Sequence, residues 1–174
     1  AGGYVLRTCL VALFSICITS CTTSYETATR HYELAQSCCQ DFSEFTYEAL
    51  TNTESLAFDI DQTSPAFHFT SGKSYFKALK LPNLPLPYSL SIRSYAQGEM
   101  IDKAHILFPR ILLLKEDFSI ADEIDPAYVV EKSYDGAIKE NKWGLPVRLS
   151  GQIRIENTES KYLLVITTEE LLSS

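Results

Sequence analysis

Tryptophan and methionine are nearly missing from this 174-residue chain, with one of each against ten tyrosines and nine phenylalanines. Aromatic content of that kind, with many Ser, Thr and Ile, favours strands over helices. Positive charge is also in deficit: 15 Lys and Arg stand against 22 Asp and Glu, for a net charge of −7. Binding a phosphate backbone needs a basic face, so the balance argues against nucleic acid as a partner. Histidine occurs three times, at His31, His68 and His105, without an H-E-x-x-H or other paired spacing. That scatter argues against metal ligation. No cysteine follows Cys39. The apolar run "CLVALFSICI" is too short to cross a bilayer as a mature helix.

What is present at the N-terminus has the form of an export signal. Arg7 precedes that run, which has the length of a secretory core and gives way to small residues and Cys21. The tetrapeptide "ITSC" has the pattern of a bacterial lipobox: an aliphatic residue, two small ones and the cysteine whose thiol takes a diacylglyceryl group. Residues 1–20 are therefore expected to be a lipoprotein signal peptide, and Cys21 the lipidated residue. Their removal leaves a net charge of −8, from 14 Lys and Arg against 22 Asp and Glu. Thr22 replaces the Asp that retains many lipoproteins in the inner membrane. The expected address is the periplasm, on the outer membrane through the lipid.

Residues 21–40 read as a tether with a short helix, since Tyr25, Ala28, Tyr32 and Ala35 recur at helical spacing. Cys38 and Cys39 follow as neighbours in an oxidising compartment. A bridge between them, a bridge to another molecule and two free thiols all remain open, with a local structural role favoured.

From residue 41 the pattern becomes that of strands. "LAFDI" and "AFHF" alternate. "KSYFKALKL" places Tyr75, Lys77, Leu79 and Leu81 on one side and Phe76 and Ala78 on the other. "YSLSIRSY" sets Tyr88, Leu90 and Ile92 against Ser89, Ser91 and Arg93. "LPNLPLP" reads as a loop, because its prolines cannot serve a central ladder. "HILFPRILLL" is apolar on both faces and belongs inside, with a bulge or bend at Pro109. "DFSIADEIDP" reads as polar and turn-rich. "AYVVEKSY", "VRLSGQIRIE" and "KYLLVITT" supply further strands, and "NTES" reads as the hairpin turn joining the last two. The expected fold is all-β, a jelly-roll-like β-sandwich over residues 41–174, preceded by the signal segment and the short helix.

Searches for chemistry return little. "SGKS" ends like a phosphate-binding loop, yet Phe67 stands where that motif begins with glycine, so it reads as a hairpin turn. Ser74 lacks a G-x-S-x-G frame. Asp59 and Asp61 would share one side of a strand. Asp117, Asp122, Glu123 and Asp125 form an acidic loop cluster without the glycine of an EF-hand. No catalytic residue, metal site or cofactor is expected. The loop "SYDGAIKENKWGLP" holds Trp143 and Tyr134, aromatics suited to stacking on a pyranose face; the competing role for Trp143 is to plug the core.

"CCQDFSEFTYEAL", "GKSYFKALKLP", "SIRSY", "LFPRILLL" followed by "DF", and "KYLLVITTEE" together resemble the maltose operon periplasmic protein family, in its lipoprotein form. The likeness runs from about Cys38 to Glu170. It implies a non-enzymatic periplasmic accessory of maltose and maltodextrin transport, with maltodextrins or an envelope protein of sugar uptake as partners and no catalytic residues to carry over. Members of that family continue past the last strand, whereas this sequence stops at Ser174. The alternative is a structural or protein-interaction lipoprotein of the Gram-negative envelope with no small-molecule ligand. In cells fed labelled palmitate, Cys21→Ala is expected to abolish labelling; label that persists in the variant refutes lipidation at Cys21.

Overall fold

The structure is a computed structural model and describes residues 31–51, 55–96, 106–132 and 147–167. It is an all-β sandwich with nine strands among the described residues. The larger sheet runs in the order β1 (Glu48–Ala49), β3 (Gly72–Lys80), β9 (Tyr162–Ile166), β5 (Arg110–Leu114), β6 (Ile120–Ile124), with β2 (Ala66–Phe69) also paired to β3. The smaller sheet runs β4 (Tyr88–Tyr95), β8 (Val147–Ile155), β7 (Val129–Lys132). The pairs β3·β9 and β4·β8 nest by sequence, as the arms of a rolled hairpin do. The sheets differ from two equal four-stranded layers in being six- and three-stranded.

The chain divides into two compact units at Leu34 and Ala35. Of the first, His31 to Leu34 are described and helical, within the span where a helix was expected. The sandwich unit begins ahead of the expected boundary at 41, because Ser37 already forms a parallel bridge with Ala66. Among the described residues no helix is long and apolar enough to cross a membrane.

Alternation decides which face each residue takes. On β3, Phe76 and Ala78 enter one core and Leu79 enters the other, as the period of two requires. On β9 and β5 every second residue goes each way: Leu112, Leu114, Leu164 and Ile166 face outward, and Ile111, Leu113, Leu163 and Val165 face the smaller sheet. Strands with no polar face must be covered on both sides. The inner cover comes from Ile153 and Ile155 of β8, with Tyr88, Leu90 and Ile92 of β4. The outer cover is an aromatic strap. The 3-10 turn Phe42–Glu44, capped by the Asp41 side chain, lays Phe42, Phe45 and Tyr47 across the sheet. Phe45 stacks on Phe76 with ring centres 4.2 Å apart. Such pairs add about 0.5–1.5 kcal/mol beyond the area they bury.

Several local expectations change in the structure. The segment "LAFDI" forms no ladder; Leu56 and Ile60 pack on the inner core, so its alternation reflects burial alone. Asp59 and Asp61 therefore do not share a strand face, and Asp61 instead accepts from Thr63 N–H at 2.8 Å to cap a turn. "IADEI", read as turn-rich, is edge strand β6, whose charges suit an edge that must not aggregate. Pro109 lies just ahead of β5, and the register shift falls at Leu113 and Leu114. "NTES" is no hairpin. It carries the chain from the smaller sheet to the larger, because β8, with Gln152 and Arg154 exposed, fits a sheet with one open face, whereas β9 needs two covered ones. "SGKS" does close the β2–β3 hairpin, with Gly72 at φ 114°, in the region that favours glycine.

Tyr128 ties the two sheets together. Its hydroxyl donates to the Pro109 carbonyl at 2.6 Å, and its ring lies over Gly151 of β8. A Cβ on Gly151 would meet that ring at 2.9 Å. Urea unfolding should show Gly151→Ala losing about 1–3 kcal/mol through overpacking. The fully buried Leu164→Ala should lose about 2–5 kcal/mol. An exposed control, Gln152→Ala, should stay within about 0.5 kcal/mol; a Gly151→Ala variant as stable as that control would show that Tyr128 does not hold this position.

Candidate functional site

At one end of the smaller sheet, side chains from three strands fall into one row. Pairing of β7 with β8 ends at Lys132 opposite Val147, and Tyr134 and Trp143 fall between these two residues in sequence. Tyr134 and Trp143 themselves lie outside the described residues, as do Cys21 and His105. Beside the Lys132–Val147 pair the register sets Tyr95 of β4 opposite Arg148 of β8, and Glu131 of β7 opposite the same Arg148. Arg148 Nε donates to the Glu131 carboxylate. Further along the same face the rows are Arg93 with Ser150, Ser91 with Gln152 and Ser89 with Arg154. This face follows from simple alternation, since the opposite residues of β4 and β8 are spent on the core.

The electrostatics of the end row are coupled. The hydrogen bond from Arg148 holds the Glu131 carboxyl below the usual glutamate range, with the positive charges of Arg148 and Arg93 acting the same way. The hydrogen bond to Glu131 raises Arg148 in turn, and Tyr95 adds to it. An arginine fork beside a carboxylate presents paired donors next to paired acceptors, the complement of adjacent hydroxyl groups. The signal for this row was present in the sequence only as outward positions of separate strands; which of them meet is a matter of register.

The other residues weighed for chemistry lie elsewhere. Ser74 is fully buried, accepts from Thr167 N–H at 2.8 Å and donates to the Tyr75 carbonyl at 2.6 Å, so it is a structural pin. His68 is exposed on β2 opposite Lys73, and His31 is exposed in its helical turn. The acidic cluster is dispersed: Asp117 caps the β5–β6 turn through Ser119, and Asp125 and Glu123 both pair with Arg110. Among the described residues no group of three or more His, Cys, Asp or Glu could hold a metal ion. Cys38 and Cys39 are joined to each other as a vicinal disulfide. On the outer face of the larger sheet, Phe42, Phe69, Leu112, Ile120 and Glu123 line a recess of about 20 Å³, room for one water.

Phe118 was not singled out by the sequence. It closes the β5–β6 turn at φ 63°, a conformation bulky residues seldom adopt, and its ring stacks on Tyr162 at 4.9 Å. The stacking offsets the backbone cost locally.

No family model, curated protein or solved structure matches this chain.

The Glu131 pairing makes a pH dependence. A carboxyl whose folded pKa lies below its unfolded value adds stability above the unfolded pKa, about 4.3, and loses it as pH falls through the folded value. Glu131→Gln should therefore lower the urea midpoint at pH 7 and match wild type near the acid limit. A difference that is constant with pH would show that the pairing contributes nothing.

Proposed function

We propose that this chain is a non-enzymatic accessory lipoprotein of the cell envelope, associated with maltose and maltodextrin transport, that holds sugar on the end of its smaller sheet. The observation that carries the reading is the row of Tyr95, Arg148 and Glu131 at the end of the β7–β8 ladder, next to Lys132 and Val147, between which Tyr134 and Trp143 lie in sequence. Sugar recognition calls for a flat apolar ring against the C–H face and forked polar groups for neighbouring hydroxyls. The connection contains the first by sequence, and the strands present the second. The resemblance in sequence supports the transport setting. The anchor is the lipid on Cys21, and the location is the periplasmic side of the outer membrane.

A second reading has its own observation. Val129 and Val130 on β7 are 64% and 53% exposed, consecutive apolar residues on a short strand that ends the smaller sheet's order. Exposed apolar strands of this kind serve as docking sites for another chain. On that reading the protein is a structural or interaction lipoprotein with no small-molecule ligand.

Titration of the chain with maltose through maltoheptaose, followed by Trp143 fluorescence and calorimetry, separates the two. Saturable binding that strengthens with glucan length is expected, with Arg148→Ala weakening it about tenfold or more through the lost charged hydrogen bonds. Folded protein that stays silent in both methods refutes the sugar reading. A partner lost on Val129→Lys would then establish the second.

A further inference from the structure

The Cys38–Cys39 bridge is ill placed to staple the fold. In the chain-entropy account a disulfide stabilises by closing a loop in the unfolded chain, and more so for longer loops. Neighbouring residues close the smallest loop a chain can form. The bridge therefore acts on its surroundings, and these differ on its two sides. Ahead of it the chain is held to the edge of β2 by the Ser37–Ala66 bridge and by Cys38 N–H donating to the Ala66 carbonyl at 2.9 Å. Behind it the strap is secured several times over. Gln40 N–H donates to the Glu44 carboxylate at 2.7 Å, Tyr47 donates to the Phe42 carbonyl at 2.8 Å, and Phe42 and Phe45 sit in the aromatic layer.

The two sulfurs are also unequal. Cys38 is exposed, whereas Cys39 is half-buried against the aromatic layer. The Cys39 sulfur lies 3.9 Å from the Glu44 carbonyl. A bridged sulfur has no proton to give, but a reduced Cys39 thiol would find its acceptor already in place. The surroundings are furnished for both oxidation states.

We propose that Cys38–Cys39 is a thiol–disulfide exchange site for a dithiol partner, and that reduction frees the segment before Cys39 from β2 while the sandwich stays intact. One thiolate of the dithiol attacks the exposed Cys38 sulfur. The S–S bond breaks, and its electron pair leaves with Cys39, which takes a proton and turns it to the Glu44 carbonyl. The second thiolate of the dithiol then attacks its own partner sulfur in the mixed disulfide and expels Cys38, which is protonated in turn. The dithiol ends as a disulfide and the cysteine pair has gained two electrons. With the ring opened, Cys38 recovers its backbone freedom, and the backbone contact that the exposed Ser37 and Cys38 make with Ala66 is too little to offset that entropy.

The test uses the full chain purified without reductant and treated with dithiothreitol under native conditions. Peptide mapping after alkylation reads Cys38 and Cys39, and hydrogen exchange reads their surroundings. Both cysteines should become alkylated only after dithiothreitol. The Cys38 amide should then exchange about tenfold faster or more, with the Leu79 and Leu164 amides unchanged. The double variant Cys38→Ser, Cys39→Ser should reproduce the reduced pattern; if it does not fold, the wild-type reduction decides alone. Free thiols in untreated protein, reduction that needs denaturant, or unchanged Cys38 exchange each overturn the proposal. Equal acceleration at Leu164 overturns it too, by making the bridge a global staple.

Discussion

The structure depends on one demand: β5 and β9 have no polar face, and both sides of the sheet they centre must be kept from water. Ile111, Leu114, Leu164 and Ile166 are at or near complete burial. A two-layer sandwich ordinarily covers one face of each sheet. Here the smaller sheet covers the inner face, and the strap from Asp41 to Tyr47 covers the outer one with rings. The strap is thus structural, although it precedes every described strand in sequence. Its contacts with Phe67, Phe69 and Phe76 join it to the β2–β3 hairpin as an aromatic layer.

Because the larger sheet is spent on both faces, surface chemistry falls to the smaller one. Its inner residues complete the core, and its outer residues are Ser, Arg, Gln and Tyr in cross-strand rows. The charges there are matched rather than massed: Arg148 pairs with Glu131, and Arg154 with Glu156. With its charges paired, this face presents no massed field of one sign. Tyr128 and Gly151 matter to this surface indirectly, since they fix β8 against the start of β5 and with it the row that holds Arg148.

Much of the secondary structure was legible. "KSYFKALKL" and "YSLSIRSY" form strands with the facing that alternation assigns, and "RILLL" lies inside as its two apolar faces require. The failures have physical causes. "LAFDI" has the alternation of a strand but no ladder, so pattern reports burial and not pairing. "IADEI" was too polar to read as a strand, because an edge strand is selected for charge as much as for packing. In the candidate site, the aromatic connection was visible in the sequence. The polar row was not, since Tyr95, Glu131 and Arg148 lie on three different strands.

By itself the sequence determined the class of fold and the outward and inward residues of its clearest strands. These follow from composition and from a period of two, which are local properties of the chain. Only the tertiary structure decided which strand neighbours which. It sent β9 to the centre of the larger sheet instead of back along β8, and it drew the strap over the outer face. It also brought Arg148 between Tyr95 and Glu131. Pairing partners are chosen by how much apolar surface each whole arrangement can bury, a property of the assembled sheets that no single segment carries.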